Sequence, residues 1–182
     1  MTKHFLRILD LDRDIAHGLL ARARDMKRDR VRNACMAGKS AILLFEKAST
    51  RTRVSFEIAV RDLGGSTIFM TTRESQLGRS EPLSDTARVL SRYVDCMIVR
   101  TFGQTKLDEL AYYASIPVVN ALSDDPHPCQ VMSDVLSMAE IRPDLAATRV
   151  AWVGDGNNMA QSLIEAAVQF PFELRLACPG GY

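Results

Sequence analysis

Apolar and polar positions follow two rhythms along this chain. Over residues 12–30, Ile15, Leu19, Ala23 and Met26 recur every three or four positions among arginines and aspartates. That spacing predicts a helix with one buried face. "AILLFE" (41–46) is short and apolar throughout, the pattern of a buried strand. Helical spacing returns over 50–63 through Val54, Ile58 and Leu63, and Gly64-Gly65 stops it. "STIFMT" (66–71) predicts a strand, and the polar "TRESQLGRSEP" (72–82) a loop. "LSDTARVLSRYV" (83–94) predicts a helix capped by Ser84, "CMIVRT" (96–101) a strand, and "KLDELAYYAS" (106–115) a helix. "IPVVNAL" (116–122) predicts a strand, "SDDPHPCQ" (123–130) a loop, and "VMSDVLSMAEI" (131–141) a helix stopped by Pro143. Strand "RVAWVG" (149–154), helix "NMAQSLIEAAVQF" (158–170) and strand "FELRLA" (172–177) follow.

Such alternation predicts an α/β fold built on a mostly parallel sheet. Residues 1–130 are expected to form a first unit, 131–147 a connecting helix and linker, and 148–182 the start of a second, Rossmann-like α/β unit. Two strands and one helix cannot bury a sheet on both faces, so the pattern predicts that the second unit is incomplete.

The polar residues that need explaining follow strand ends, where ligands of open α/β sheets gather. "STRTR" (49–53) follows "AILLFE" and opens a helix. Ser49 or Thr50 can cap that helix. Its first N–H groups lack internal partners and attract an anion, so a phosphate fits there with the hydroxyls as further donors. Arg51 and Arg53 point to different sides of the helix start. Arg51, in the first turn, is the expected ligand, because its planar fork matches phosphate oxygens, while Arg53 pairs elsewhere. Arg100 closes "CMIVR" as a second anion-binding candidate at a neighbouring strand end. In "DPHPCQ", two prolines stiffen the backbone around His127. His127 and Gln130 are placed to donate to a carbonyl oxygen that gains charge during acyl transfer. Cys129 reads as a buried structural thiol rather than a nucleophile. "GDGNN" (154–158) resembles the start of a dinucleotide fingerprint but has Met159 where the third glycine belongs.

Charge narrows the partners. Formal net charge is +1 over 182 residues, so neither nucleic acid nor a membrane surface is indicated, and a basic site must be local. No apolar run approaches the ~20 residues that span a bilayer. The N-terminal "MTKHFLRILDLDRD" lacks the apolar core of a signal peptide. Cys35, Cys96, Cys129 and Cys178 form no C-x-x-C pair, which predicts reduced thiols in the cytoplasm. His127 has no second ligand at a metal-binding spacing, so no metal is expected. There is no G-x-x-x-x-G-K phosphate loop either.

Taken together, "FEKASTRTRVSFE", "QLGRSEPLSDTARVL", Arg100, "HPCQ" and "WVGDGNNMAQSLIEAA" resemble the ornithine carbamoyltransferases, in order and along essentially the whole chain. The resemblance implies transfer of a carbamoyl group from carbamoyl phosphate to the δ-amine of ornithine, giving citrulline and phosphate, with no cofactor. It implies that Ser49, Thr50, Arg51 and Thr52 hold the phosphate and that Arg100 bridges phosphate and carbamoyl oxygen. His127 and Gln130 would bind the carbamoyl group, and Asn158 the ornithine backbone. Gln76 would reach the carbamoyl phosphate of a neighbouring subunit in a homotrimer, or a multiple of one, with sites at subunit boundaries. The second domain of the family runs well beyond residue 182, so its later ornithine-binding segments are absent from this sequence. Aspartate carbamoyltransferases share "STRTR" and "HP-x-Q", but usually carry a lysine in the loop that here reads "QLGRSE". Transferases acting on putrescine or N-acetylornithine remain alternatives, as does an inactive fragment that only binds the anion.

Overall fold

The computed structural model describes residues 4–29, 34–71 and 81–181. Its contacts divide the chain into two compact units, Met1–Leu6 with Arg32–Asp124, and Arg7–Val31 with Asp125–Tyr182.

The first unit is built on four parallel strands in the order β2-β1-β3-β4. β1 spans Ser40–Phe45, β2 Ser66–Thr71, β3 Cys96–Arg100 and β4 Val118–Leu122. β1 pairs on both sides, which is why five consecutive apolar residues, Ala41 to Phe45, are all buried. Successive strand residues face opposite sides of a sheet. Ile42 and Leu44 therefore join Met97, Val99 and Val118 under the helices α3 (Leu83–Tyr93) and α4 (Gln104–Tyr113). Ala41, Leu43 and Phe45 join Ile98 and Ala121 in a second layer that includes Val60 of α2 (Thr50–Asp62). α2 ends where predicted. Gly64 takes φ +84, open to glycine at little cost, and Gly65 N–H donates to Val60 C=O at 2.9 Å. At the far side, Phe5 pairs with Val119 in a parallel bridge, so the N-terminal segment extends the sheet beside β4.

The second unit contains a short 3-10 turn (Ile8–Asp10), α1 (Arg13–Asp29), α5 (Pro128–Ile141), β5 (Arg149–Val153), α6 (Asn158–Gln169) and β6 (Glu173–Ala177). Ile8, Ala16, Leu20, Val131, Val135, Leu163, Ala166 and Phe170 form its core. Polar contacts reinforce the grouping. The Ile8 N–H donates to the Glu165 carboxylate at 3.0 Å, and Gln169 Nε2 to the Leu11 carbonyl at 2.7 Å. The units are thus discontinuous in sequence, where the pattern suggests consecutive segments: the apolar partners of α1 lie on α5 and α6. β5 and β6 pair in parallel. Val150, Trp152 and Leu174 pack on the core, while Val153, on the other face, is 81% exposed.

Three local expectations change. α1 buries Ala16 and Leu20, whereas Ile15 and Leu19 are 37% and 44% exposed. The stripe read from the larger side chains is one position off, because small Ala16, not Ile15, joins Val131 and Val135 of α5 in the core. α3 begins at Leu83, the first residue of the expected span, but its N-cap is Pro82 in place of Ser84, two positions earlier. α5 begins at Pro128, so "PCQ" is its first turn rather than loop. Proline suits a first helical position, where its missing N–H costs nothing. Among the described residues, no helix is long and apolar enough to cross a membrane.

Candidate functional site

In the first unit the "STRTR" segment is a helix N-terminus at a strand end. Ser49 is the N-cap of α2 in extended conformation, and its Oγ accepts from the Thr52 N–H at 3.4 Å. Ser49 Oγ also donates to Thr52 Oγ1 at 2.9 Å, and Arg100 Nη1 donates to the same oxygen at 3.2 Å. The Thr52 oxygen thus receives two hydrogens, leaving its own O–H to point to a third group. Ser49, Thr52 and Arg100 are brought together by these bonds, and Thr50 and Arg51 open the same helix.

The two arginines of "STRTR" differ. Arg53 donates from Nε to Glu57 at 2.9 Å and stacks 3.7 Å from the centre of the Phe69 ring. Arg51 is exposed and makes no side-chain hydrogen bond or ion pair with the described residues. A cavity of about 760 Å³ adjoins the helix start, lined by Lys47, Ser49, Thr50, Arg53, Glu57 and Thr71 among others. It opens on the Arg53 side of α2, so it neighbours the helix terminus without containing Arg51 or Arg100.

Arg100 sits where β3 ends and its pairing with β4 shifts register between Val99 and Arg100. Such irregularities re-aim side chains at sheet ends. Its Nε is buried with no hydrogen-bond partner among the described residues. Burial pulls the Arg100 pKa down, yet a guanidinium stays cationic at neutral pH. A buried N–H donor left open on a cation is an anion-binding group in want of its acceptor.

Sequence reasoning missed Glu46. Its carboxylate accepts from the Thr101 hydroxyl, from the Phe102 N–H at 3.2 Å and from Lys106 Nζ at 2.7 Å. Burial pushes its pKa up, but hydrogen bonds from Lys106, Thr101 and Phe102, with the Lys106 charge, outweigh this and hold it below the ordinary value. A carboxylate whose folded pKa is depressed stabilises the fold above its unfolded pKa, and the contribution fades as pH falls through the folded value. Glu46→Gln is therefore expected to lower the urea midpoint at pH 7. The gap to wild type should narrow as pH falls below the ordinary glutamate range and close only below the depressed folded value, where both states are protonated. A gap that stays constant from pH 7 to 3 would show that the charge contributes nothing. No pattern around Glu46 marked it in sequence, since its partners lie more than 50 positions away. Nearby, Lys47 Nζ pairs with Asp124 at 2.5 Å and lies 4.1 Å from the Phe102 ring centre.

His127, Gln130 and Asn158 belong to the second unit. His127 is the N-cap of α5, and its N–H donates to the fully buried Ser162 Oγ at 2.7 Å. Because Pro126 and Pro128 have no N–H, this is the only backbone donor of the three residues. Ser162 Oγ donates in turn to the Asn158 carbonyl at 2.7 Å, joining the starts of α5 and α6. Gln130 is exposed, with its amide on Asp134 Oδ1 at 2.9 Å. Asn158 is the first residue of α6, after an Asn157 cap whose side chain accepts from the Met159 N–H at 2.9 Å. The preceding turn needs glycine at Gly154, where φ is +138. Burial pushes the Cys129 thiol up to about 12, so it is protonated at neutral pH and no nucleophile. Gln76 lies outside the described residues.

Comparison with known proteins bears on the same elements. A family model described as "Aspartate/ornithine carbamoyltransferase, carbamoyl-P binding domain" matches residues 3–140. The ornithine carbamoyltransferase of Nitratidesulfovibrio vulgaris is 68% identical over 182 residues, all of this chain and 61% of that protein. That of Desulfotalea psychrophila is 51% identical over 185 aligned positions, again 61% of its length. The crystal structure of ornithine carbamoyltransferase from Thermus thermophilus superposes with a TM-score of 0.95 at 40% identity, covering all of this chain and 63% of that one. The chain thus spans about three-fifths of the length of these relatives. Matched by the family model over residues 3–140 and by these relatives over its whole length, the chain belongs to the aspartate/ornithine carbamoyltransferase family.

Proposed function

We propose that this chain binds carbamoyl phosphate and forms part of an ornithine carbamoyltransferase. One observation carries the reading. The α2 N-terminus, its Ser49 and Thr52 hydroxyls and the Arg100 guanidinium are tied together by hydrogen bonds, while Arg100 Nε keeps a buried donor open. Oriented N–H groups, hydroxyls and two cations suit a dianionic phosphate. Ser49, Thr50, Arg51 and Thr52 hold the phosphate; Arg100 also reaches the carbamoyl oxygen. His127 and Gln130 engage the carbamoyl group, Asn158 the ornithine backbone, and Gln76 a carbamoyl phosphate on a neighbouring subunit of a trimer.

In the reaction the neutral δ-amine attacks the carbamoyl carbon. The carbonyl electron pair moves onto oxygen, where Arg100 and His127 stabilise the charge. The intermediate collapses, the bond to the phosphate oxygen breaks, the surplus proton of the attacking nitrogen passes to the leaving phosphate, and the phosphate departs held by the α2 terminus. The 68% identical relative is an ornithine carbamoyltransferase, which favours ornithine over aspartate as acceptor. All four cysteines are unpaired, which suits the reducing cytoplasm.

The test is calorimetry with carbamoyl phosphate on this chain, and citrulline formation from ornithine on it and on a version extended to the length of its relatives. Binding by the chain, and citrulline with ornithine but no product with aspartate, is the expected result. No binding together with no citrulline from either version overturns the proposal.

A further inference from the structure

Arg100 has little in the way of side-chain support. Nη1 meets Thr52 Oγ1 at 3.2 Å and Nε meets nothing among the described residues. Its aim must then be fixed through its backbone. The β4 ladder does part of this, past a register shift between Val99 and Arg100, with the Thr101 N–H on the Leu122 carbonyl at 3.1 Å. Glu46 adds to it, with two different groups. Its N–H donates to the Arg100 carbonyl at 2.8 Å. Its carboxylate then takes the Thr101 hydroxyl and the Phe102 N–H, the two residues that follow. Lys106 anchors the same carboxylate to α4 at 2.7 Å. Thr101 is 2% exposed, so its hydroxyl needs this acceptor.

The charge of Glu46 also needs a reason. It lies three residues before the Ser49 cap, beside a terminus suited to a phosphate. By electrostatics alone a carboxylate there repels the ligand. We propose that Glu46 is a positioning residue that holds Arg100 in line with the carbamoyl end of the ligand, a role that rests on the carbamoyl phosphate reading above. Field and position make opposite predictions. If Glu46 acts only through its charge, Glu46→Gln tightens anion binding. If it positions Arg100, Glu46→Gln weakens the binding of carbamoyl phosphate more than that of inorganic phosphate, which keeps the α2 terminus and has no carbamoyl oxygen for Arg100 to reach.

Calorimetry on the intact chain tests this with carbamoyl phosphate and inorganic phosphate as probes. Glu46→Gln is expected to weaken carbamoyl phosphate about tenfold and inorganic phosphate less than about threefold, the size of one charged hydrogen bond lost. Arg100→Ala should show the same selectivity. In the Arg100→Ala background, Glu46→Gln should cause no further loss, because residues acting through one another are not additive. A merely structural contribution would add. Equal or tighter carbamoyl phosphate binding by Glu46→Gln, or additive losses, overturns the proposal. Should Glu46→Gln fail to fold, Thr101→Val removes one of the carboxylate's donors and is expected to show the same selectivity at about threefold. Wild-type affinity in that variant overturns it equally. Wild-type chain that binds neither probe would instead defeat the carbamoyl phosphate reading, and this role with it.

Discussion

Arg51→Ala is expected to lower carbamoyl phosphate affinity by at least about a hundredfold, since a bidentate guanidinium contributes two charged hydrogen bonds of roughly 1.5–3 kcal/mol each. Arg51 stands in the first turn of α2 and is exposed, with no ion pair or side-chain hydrogen bond to the described residues. Its removal should leave the melting temperature unchanged, so lost binding cannot be ascribed to lost fold. Lysine at this position would restore charge but not the planar fork, and should recover only part of the affinity. Calorimetry that finds near-normal affinity in the alanine variant would refute the assigned role.

The second large effect concerns the sheet that carries these groups. Leu43 lies at the middle of β1, fully buried, in the layer with Phe45, Val60, Ile98 and Ala121. Leu43→Ala removes buried atoms and leaves a cavity in a strand paired on both sides, which is expected to cost about 3 kcal/mol. Against a typical margin of about 5–15 kcal/mol, that is a large share. Urea unfolding should show a markedly lower midpoint with an unchanged slope. An unshifted midpoint would mean that this layer is not packed as described.

These two residues also illustrate what the sequence makes legible. β1 and the start of α2 could be read directly, because an unbroken apolar run and a hydroxyl at a helix cap are local signals. The stop at Gly64 and Gly65 is local too. The buried face of α1 was misjudged because Ala16 carries almost no hydrophobic signal, while Ile15 and Leu19 carry much and remain exposed. The first turn of α5 was hidden by prolines that punctuate loops as well as helix starts. Glu46 was illegible for another reason. A glutamate at a strand end looks solvated until Thr101, Phe102 and Lys106 are folded against it. In the second unit the same holds for Ser162, whose two bonds reach Asn158, one turn away, and His127, 35 positions away. Among the candidates, the residues recognised by type were visible and those that hold them in place were not.

The grouping of α1 with α5 and α6 sets an order of events during synthesis. The Ile8 N–H and its Glu165 acceptor are 157 positions apart. On the ribosome, the first unit's strands can pair while α1, already made, still lacks the surface that covers it. Contacts this distant along the chain slow folding and prolong the exposure of apolar groups. The Ala16 and Leu20 face of α1 is therefore covered only after α5 and α6, more than a hundred positions later, have been made.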